Sequence, residues 1–311
     1  MARIASTVLV VALLAATTAA FALTQGLKNQ PAAIFGTQPG DVFSPVCGCD
    51  SETASIAFKL REPDRLDVAV VDGSERVVRT IERGREYAQG PVEIEWDGRD
   101  DAGKVLPEGD YLPRIRLRDD RTTYTLPNPI RIDVTPPRLE LVSARPVVFS
   151  PDGDRRRDAV TFRYRLNEPG QGLLFVNRER RALNRFARTE DSIEWFGKVE
   201  GSALAPGLYT ARLAAVDPAG NVAARTRPIQ LVIRYVALGR KRISVTAGAR
   251  FALRVSSDAR RVRWSLAGRS GVARPGTLRF RAPLQRGRFT LTVSANGHTT
   301  RAAVFVLEPA R

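Results

Sequence analysis

Apolar residues in this chain recur at every second position in short runs, and turn residues cut each run. Ile56, Phe58 and Leu60 alternate with Ala57 and Lys59. Val92, Ile94 and Trp96 alternate with Glu93 and Glu95, and Phe289, Leu291 and Val293 alternate with Thr290 and Thr292. Successive side chains on a strand point to opposite faces, so each run reads as a half-buried antiparallel strand. The cuts fall at Glu62-Pro63-Asp64, Asp72-Gly73, Asp97-Gly98, Ala102-Gly103 and Pro107-Glu108-Gly109, residues that set turn backbone angles. After the N-terminus no stretch carries a helical period. The fold class is therefore all-β. About seven short strands in each stretch of roughly 90 residues indicate immunoglobulin-like sandwiches.

The chain also repeats itself. At an offset of 106 residues Phe43 aligns with Phe149, Pro45 with Pro151, Ile56 with Phe162, Phe58 with Tyr164, and Glu62-Pro63 with Glu168-Pro169. Further on the offset slips to about 99, pairing Trp96-Asp97-Gly98 with Trp195-Phe196-Gly197 and Tyr111 with Tyr209. One module has been duplicated, with a shortened hairpin in the second copy. The expected order is a polar linker at 26–41, a first sandwich at 42–133, a Pro-rich connector at 134–147, a second sandwich at 148–236, and a third strand-rich module at 239–309. The third module shows no match to the other two. Three sandwiches in tandem on a membrane-proximal linker predict a rod.

The N-terminal segment, residues 1–25, has Arg3 followed by an uncharged run up to Gln25. It reads either as a signal peptide cleaved after Ala20-Phe21-Ala22 or as a membrane anchor just long enough to span a bilayer. Both readings export the rest of the chain. Cys47 and Cys49 flank Gly48. They can close a tight disulfide, pair between chains, or stand as a plain loop pair, whereas a metal needs more ligands than two thiols.

The first two modules resemble a known family. The first carries Val77-Val78-Arg79, Trp96-Asp97-Gly98-Arg99-Asp100, Gly103 and Pro107-Glu108-Gly109-Asp110-Tyr111. The second carries Phe149-Ser150-Pro151-Asp152-Gly153-Asp154 and Pro206-Gly207-Leu208-Tyr209. These segments look like the immunoglobulin-like domain of flagellar hook-capping proteins, the FlgD-type domain. The resemblance implies a β-sandwich of a kind found in many exported bacterial proteins, and it implies nothing about task. Val216-Asp217-Pro218-Ala219-Gly220-Asn221 is similar to a turn of bacterial surface Ig-like repeats. A hook-capping role does not carry over, because no recognisable hook-assembly segment precedes the first module.

Three carboxylates, Asp152, Asp154 and Asp158, crowd one turn of the second module. Two readings stand. They can offer oxygens to Ca²⁺, a hard cation that takes about six to eight of them. Alternatively they hold their own backbone in an Asx-type turn. Arg155-Arg156-Arg157 among them and the loss of the acids at Val46 and Gly48 in the first copy favour the second reading. Asp97, Asp100 and Asp101 raise the same question more weakly. No other cofactor is indicated.

Of the 49 basic residues only five are Lys, and the net charge of +16 is uneven. From Gly239 to Arg311 there are 16 Lys+Arg and two acids, Asp258 and Glu308. Such a field attracts anionic polymers and surfaces. Arg261, Arg263, Arg279, Arg281, Arg286 and Arg288 lie out of phase with the core and form one anion-binding stripe if their strands are neighbours. The aromatics Trp264, Phe280 and Phe289 are in phase with the core, which argues against nucleic acid, where exposed rings stack on bases. His298, the single histidine, is the only base a His-dependent triad could recruit, and no motif marks a catalytic site. The sequence thus indicates a non-enzymatic exported protein, structural or adhesive, whose basic module meets anionic wall or membrane polymers. The alternative is an accessory array that scaffolds a protein partner in the envelope.

Overall fold

The alternating runs of the first module resolve into two packed sheets. One is antiparallel, with Ile34–Phe35, Ala54–Leu60 and Gly90–Trp96 in order. The other runs Val42–Phe43, Ile130–Ile132, Gly109–Leu117, Asp64–Val71 and Val77–Tyr87, with Thr122–Thr125 added beside Gly109–Leu117. The in-phase residues Ile56, Phe58, Leu60, Val68, Val70, Val92 and Ile115 are buried in one core. Burying each aliphatic or aromatic side chain of this kind is worth about 1.5–3 kcal/mol. These features come from a computed structural model that describes residues 11–21 and 32–308 and divides into two compact units parting between Val134 and Thr135. Residues 11–21 are helical and exposed. Among the described residues no helix is long and apolar enough to cross a membrane. The rest of the N-terminal segment, with residues 26–31 of the linker, lies outside the described residues.

The second unit holds the other two modules. In the second module one strand, Val160–Val176, serves both sheets. Val160–Arg165 pairs with Leu139–Arg145 on one side and Arg188–Trp195 on the other. From Gln171 onward the same strand pairs with Gly207–Val216 and Glu179–Leu183. Two expectations are corrected here. Glu168-Pro169, read as a turn like Glu62-Pro63, lies inside this continuous strand, where Pro can sit because ladder pairing lapses between Arg165 and Gly170. The connector 134–147 is not merely a spacer. Its Leu139–Arg145 is an edge strand of the second sandwich, held by pairs such as Leu139↔Leu166 and Leu141↔Tyr164. Likewise Ile34–Phe35, placed in the linker by sequence, pairs with Leu60 and Lys59.

The third module has a three-stranded sheet of Ala237–Leu238, Arg250–Ser256 and Gly276–Arg281. It faces a five-stranded one of Arg242–Thr246, His298–Leu307, Gly287–Ala295, Val262–Leu266 and Arg269–Ala273. Leu253, Val255 and Phe280 from the first sheet share a core with Leu291, Val293 and Val304 from the second.

The Phe-Ser-Pro motif plays the same part in the first and second modules. Val42–Phe43 and Val148–Phe149 each lie parallel to the module's last strand, with Phe43 opposite Ile132 and Phe149 opposite Ile233. Each Phe ring meets the module's Trp edge-on, Phe43 with Trp96 at 5.6 Å and Phe149 with Trp195 at 5.7 Å. The Pro then covers a glycine in the left-handed region, Gly98 at φ 69° and Gly197 at φ 60°. A Cβ on Gly98 would stand 2.5 Å from Pro45 Cγ, and one on Gly197 would stand 3.0 Å from Pro151 Cγ and 2.8 Å from Phe149 Cε2. The Tyr-corner bond recurs as well. Tyr111 Oη donates to Pro107 O at 2.9 Å, and Tyr209 Oη to Ala205 O at 2.8 Å.

Candidate functional site

The loop after Phe149 is wound tightly, with Gly153, Arg155 and Arg157 all at positive φ. Its carboxylates hold that path. Asp158 accepts from the Gly153 N–H at 2.9 Å and the Arg155 N–H at 2.6 Å, Asp154 from the Arg156 N–H at 2.8 Å, and Asp152 from the Asp154 N–H at 3.3 Å. Asp152, Asp154 and Asp158 each bring one oxygen within 4.8 Å of the others. The chemistry that the residues show is that of Asx turns, in which side-chain oxygens take the N–H groups a tight loop leaves unpaired. Asp97, Asp100 and Asp101 act alike in the first module, accepting from the backbone of Arg99, of Ala102 and Lys104, and of Thr80.

The third module docks on this loop. Gly287–Ala295 and His298–Leu307 are joined by Asn296-Gly297, both at positive φ, the pattern of a type I′ hairpin turn. Asn296 Nδ2 donates to Asp152 Oδ2 and to Asp154 Oδ2, each at 3.0 Å, placing one amide group between two carboxylates. His298 lies flat on Tyr235, with ring centroids 3.5 Å apart and planes within 4°. Tyr235 is itself buried and donates to Leu204 O. A third contact joins Ser150 Oγ to Asp258 Oδ2. Burial pushes the Asp258 carboxyl above the usual range, the Ser150 hydroxyl opposes this, and the nearby Asp152 and Asp154 charges add to it. Sequence reasoning gave Asn296, Ser150, Asp258 and Tyr235 no part in a site. The Asn-Gly pair between two alternating runs was the one legible signal, and it marks a turn without saying what the turn touches.

The six arginines of the expected stripe are all exposed but do not form one stripe. Arg279 and Arg281 lie on Gly276–Arg281 in the three-stranded sheet, while Arg263 lies on Val262–Leu266 in the five-stranded sheet and Arg261 just before it. Arg288 pairs with Phe305 and Arg263 with Ser294, towards opposite ends of Gly287–Ala295. The stripe needed adjacent strands, and the sandwich puts these strands in opposite layers. Arg286, next to that strand, pairs with Glu308 at 3.0 Å. Cys47 and Cys49 are joined as a disulfide around Gly48, their Cα atoms 5.3 Å apart, in a loop where the Gly48 N–H donates to Glu52.

With the sandwich, the Trp-Asp-Gly turn and the Tyr corner in place, the family of the first module can be stated. Residues 46–118 match the FlgD Ig-like domain family. The matched stretch contains the disulfide, Trp96, Gly98 and Tyr111 and ends before the second module. No curated protein sequence matches the chain. Among solved structures, an I9–I11 tandem of titin aligns over 89% of this chain and 99% of its own at 10% identity, with a TM-score of 0.33. Fibronectin(III)-like modules of Clostridium thermocellum CbhA align over 65% and 94% at 11% identity, with a TM-score of 0.35. The FN1–FN3 domains of chicken CNTN1 align over 88% and 98% at 9% identity, with a TM-score of 0.23. The fold assignment rests on the sheets and registers above. These are Ig-like β-sandwich modules.

Proposed function

We propose that the chain is an exported structural or adhesive protein of the cell envelope, without catalytic activity, whose basic third module contacts anionic envelope polymers. The observation that carries this reading is the charge of that module. Arg261, Arg263, Arg279, Arg281, Arg286 and Arg288 are exposed, while of its two acids Asp258 is bonded by Ser150 and Glu308 is paired with Arg286. A Cys47–Cys49 disulfide suits an oxidising compartment outside the cytosol. So does a first module of a family met in exported proteins.

The test is binding of the full-length protein to a labelled polyanion, followed by fluorescence anisotropy at two ionic strengths. The screening length drops from about 10 Å at 0.1 M salt to about 3 Å at 1 M, so affinity should fall by at least an order of magnitude between them. Absent or salt-independent binding overturns the electrostatic part of the reading.

A further inference from the structure

Arginines of both modules in the second unit converge on one groove. It has a volume of about 1420 Å³ and is lined by Arg156 and Arg157 from the acidic loop and by Arg260, Arg261 and Arg274 from the third module. All five are exposed, and among the described residues none of their guanidinium groups is paired with a carboxylate. Asp154 and Asp258 also line the groove. Asp154 is engaged by the Arg156 N–H and Asn296, and Asp258 by Ser150. A second groove of 470 Å³ shares Arg157 and Asp258 with the first and brings in Arg234 and Arg254.

We infer that this inter-module groove is a binding track for a linear polymer that carries an oxyanion on each repeat, phosphate or carboxylate. The inference rests on the proposed polyanion reading and deepens it by moving the site from the strand faces of the third module to the junction. The larger groove, at about 1420 Å³, exceeds the roughly 300–1,000 Å³ of small-molecule sites and is open enough to take an extended chain. Guanidinium suits the partner, since its planar fork takes phosphate or carboxylate oxygens two at a time. The walls are held in place before binding. The His298–Tyr235 stack, the Asn296 bridge to Asp152 and Asp154, and the Ser150–Asp258 bond pin the third module to the second. The two arginine sets therefore meet the polymer without the entropic cost of ordering two free modules. On this reading the acidic loop has a purpose that its charge conceals. Asp152 and Asp154 take the hairpin's Asn296, and Arg156 and Arg157 beside them line the groove.

The experiment uses the full-length protein with inorganic polyphosphate and polyglucuronate as probes and orthophosphate as the single-anion comparison. Three double variants are compared, R156Q/R157Q on the second module, R260Q/R274Q on the third, and R269Q/R301Q, exposed on the third module outside the groove lining. Far-UV circular dichroism and thermal melting establish that each is folded. At low salt both groove variants should lose on the order of tenfold or more in polymer affinity, and each should flatten the log K against log salt slope by roughly 0.7–0.9 per arginine removed. R269Q/R301Q should stay within about twofold of the parent on the same basis. Preference for one polymer identifies the oxyanion. Undiminished binding by R156Q/R157Q, with loss in the third-module variants, overturns the groove while leaving the basic-module reading intact. No polymer binding by the parent protein overturns both, and orthophosphate binding as tightly as polymer overturns the linear-polymer inference.

Discussion

Gly98→Ala should be far more damaging than Gly103→Ala, though the two glycines sit five residues apart in the same turn region. Both have left-handed backbone, φ 69° and 79°. An added Cβ makes that conformation cost about 1–2 kcal/mol at either place, offset by about 0.4–1 kcal/mol from the stiffer unfolded chain. The surroundings differ. At Gly103 nothing lies within 4 Å of the new methyl, whereas at Gly98 it would stand 2.5 Å from Pro45 Cγ and 3.1 Å from Phe43 Cζ. Overpacking of this kind adds typically about 1–3 kcal/mol. The expected excess loss at Gly98 is therefore about 1–3 kcal/mol, or on the order of 4–8 °C in Tm per kcal/mol for a domain of this size.

The chain has three tryptophans, and Trp96 is the one in the first unit. With Trp195 and Trp264 replaced by Phe, urea unfolding followed by Trp96 fluorescence reports that unit. A double-mutant cycle sharpens the test, since Pro45→Ala removes the first atom in the way. G98A and P45A should be coupled favourably by about 0.5–3 kcal/mol, while G103A and P45A should be additive. Equal destabilisation by G98A and G103A, or no coupling to Pro45, would refute the idea that the Phe-Ser-Pro motif packs down on the Trp-Asp-Gly turn.

Asp64 is buried and accepts from the Asp119 and Asp120 N–H groups. Asp64→Ala strands both donors and should cost the first unit about 2–4 kcal/mol in the same unfolding assay. Tyr235→Ala removes a fully buried ring and the platform for His298. It should cost the second unit about 3–5 kcal/mol and speed amide exchange at residues 296–298. For Asp258 the sign follows from its raised pKa. A carboxyl whose folded pKa lies above its unfolded value of about 3.9 contributes stability below that pH, and the contribution is lost as pH rises through the raised value. Asp258→Asn should thus gain on the parent in urea midpoint as pH climbs from about 4 to 7, with a flat difference below that. A pH-independent difference would show that Asp258 is not held in a desolvated site. Asp67 provides the opposite case, because the Arg118 guanidinium lowers its carboxyl. The advantage of the parent over Asp67→Asn should shrink as pH falls below the ordinary carboxylate range.

The strands and their inward faces were legible in the residues alone. Period-two alternation is a local property, and a one-residue slip would bury Lys59 or Glu93 in place of Phe58 or Val92. The paired Phe-Ser-Pro, Trp and Tyr landmarks kept their geometry because each is fixed by contacts within its own sandwich. Three matters depended on the tertiary structure. Leu139–Arg145 became a sheet edge, since a spacer and an edge strand have similar local sequences and differ only in whether Val160–Val176 lies alongside. The arginine stripe divided, because strand order decides which exposed faces are neighbours. The acidic turn became the seat of the third module, as its partners, Asn296 and Asp258, lie more than 100 residues away. Composition revealed how much positive charge the last module carries. The packing of that module against the second brought Arg156 and Arg157 into one groove lining with Arg260, Arg261 and Arg274, an arrangement that distant residues acquire only when the chain is folded.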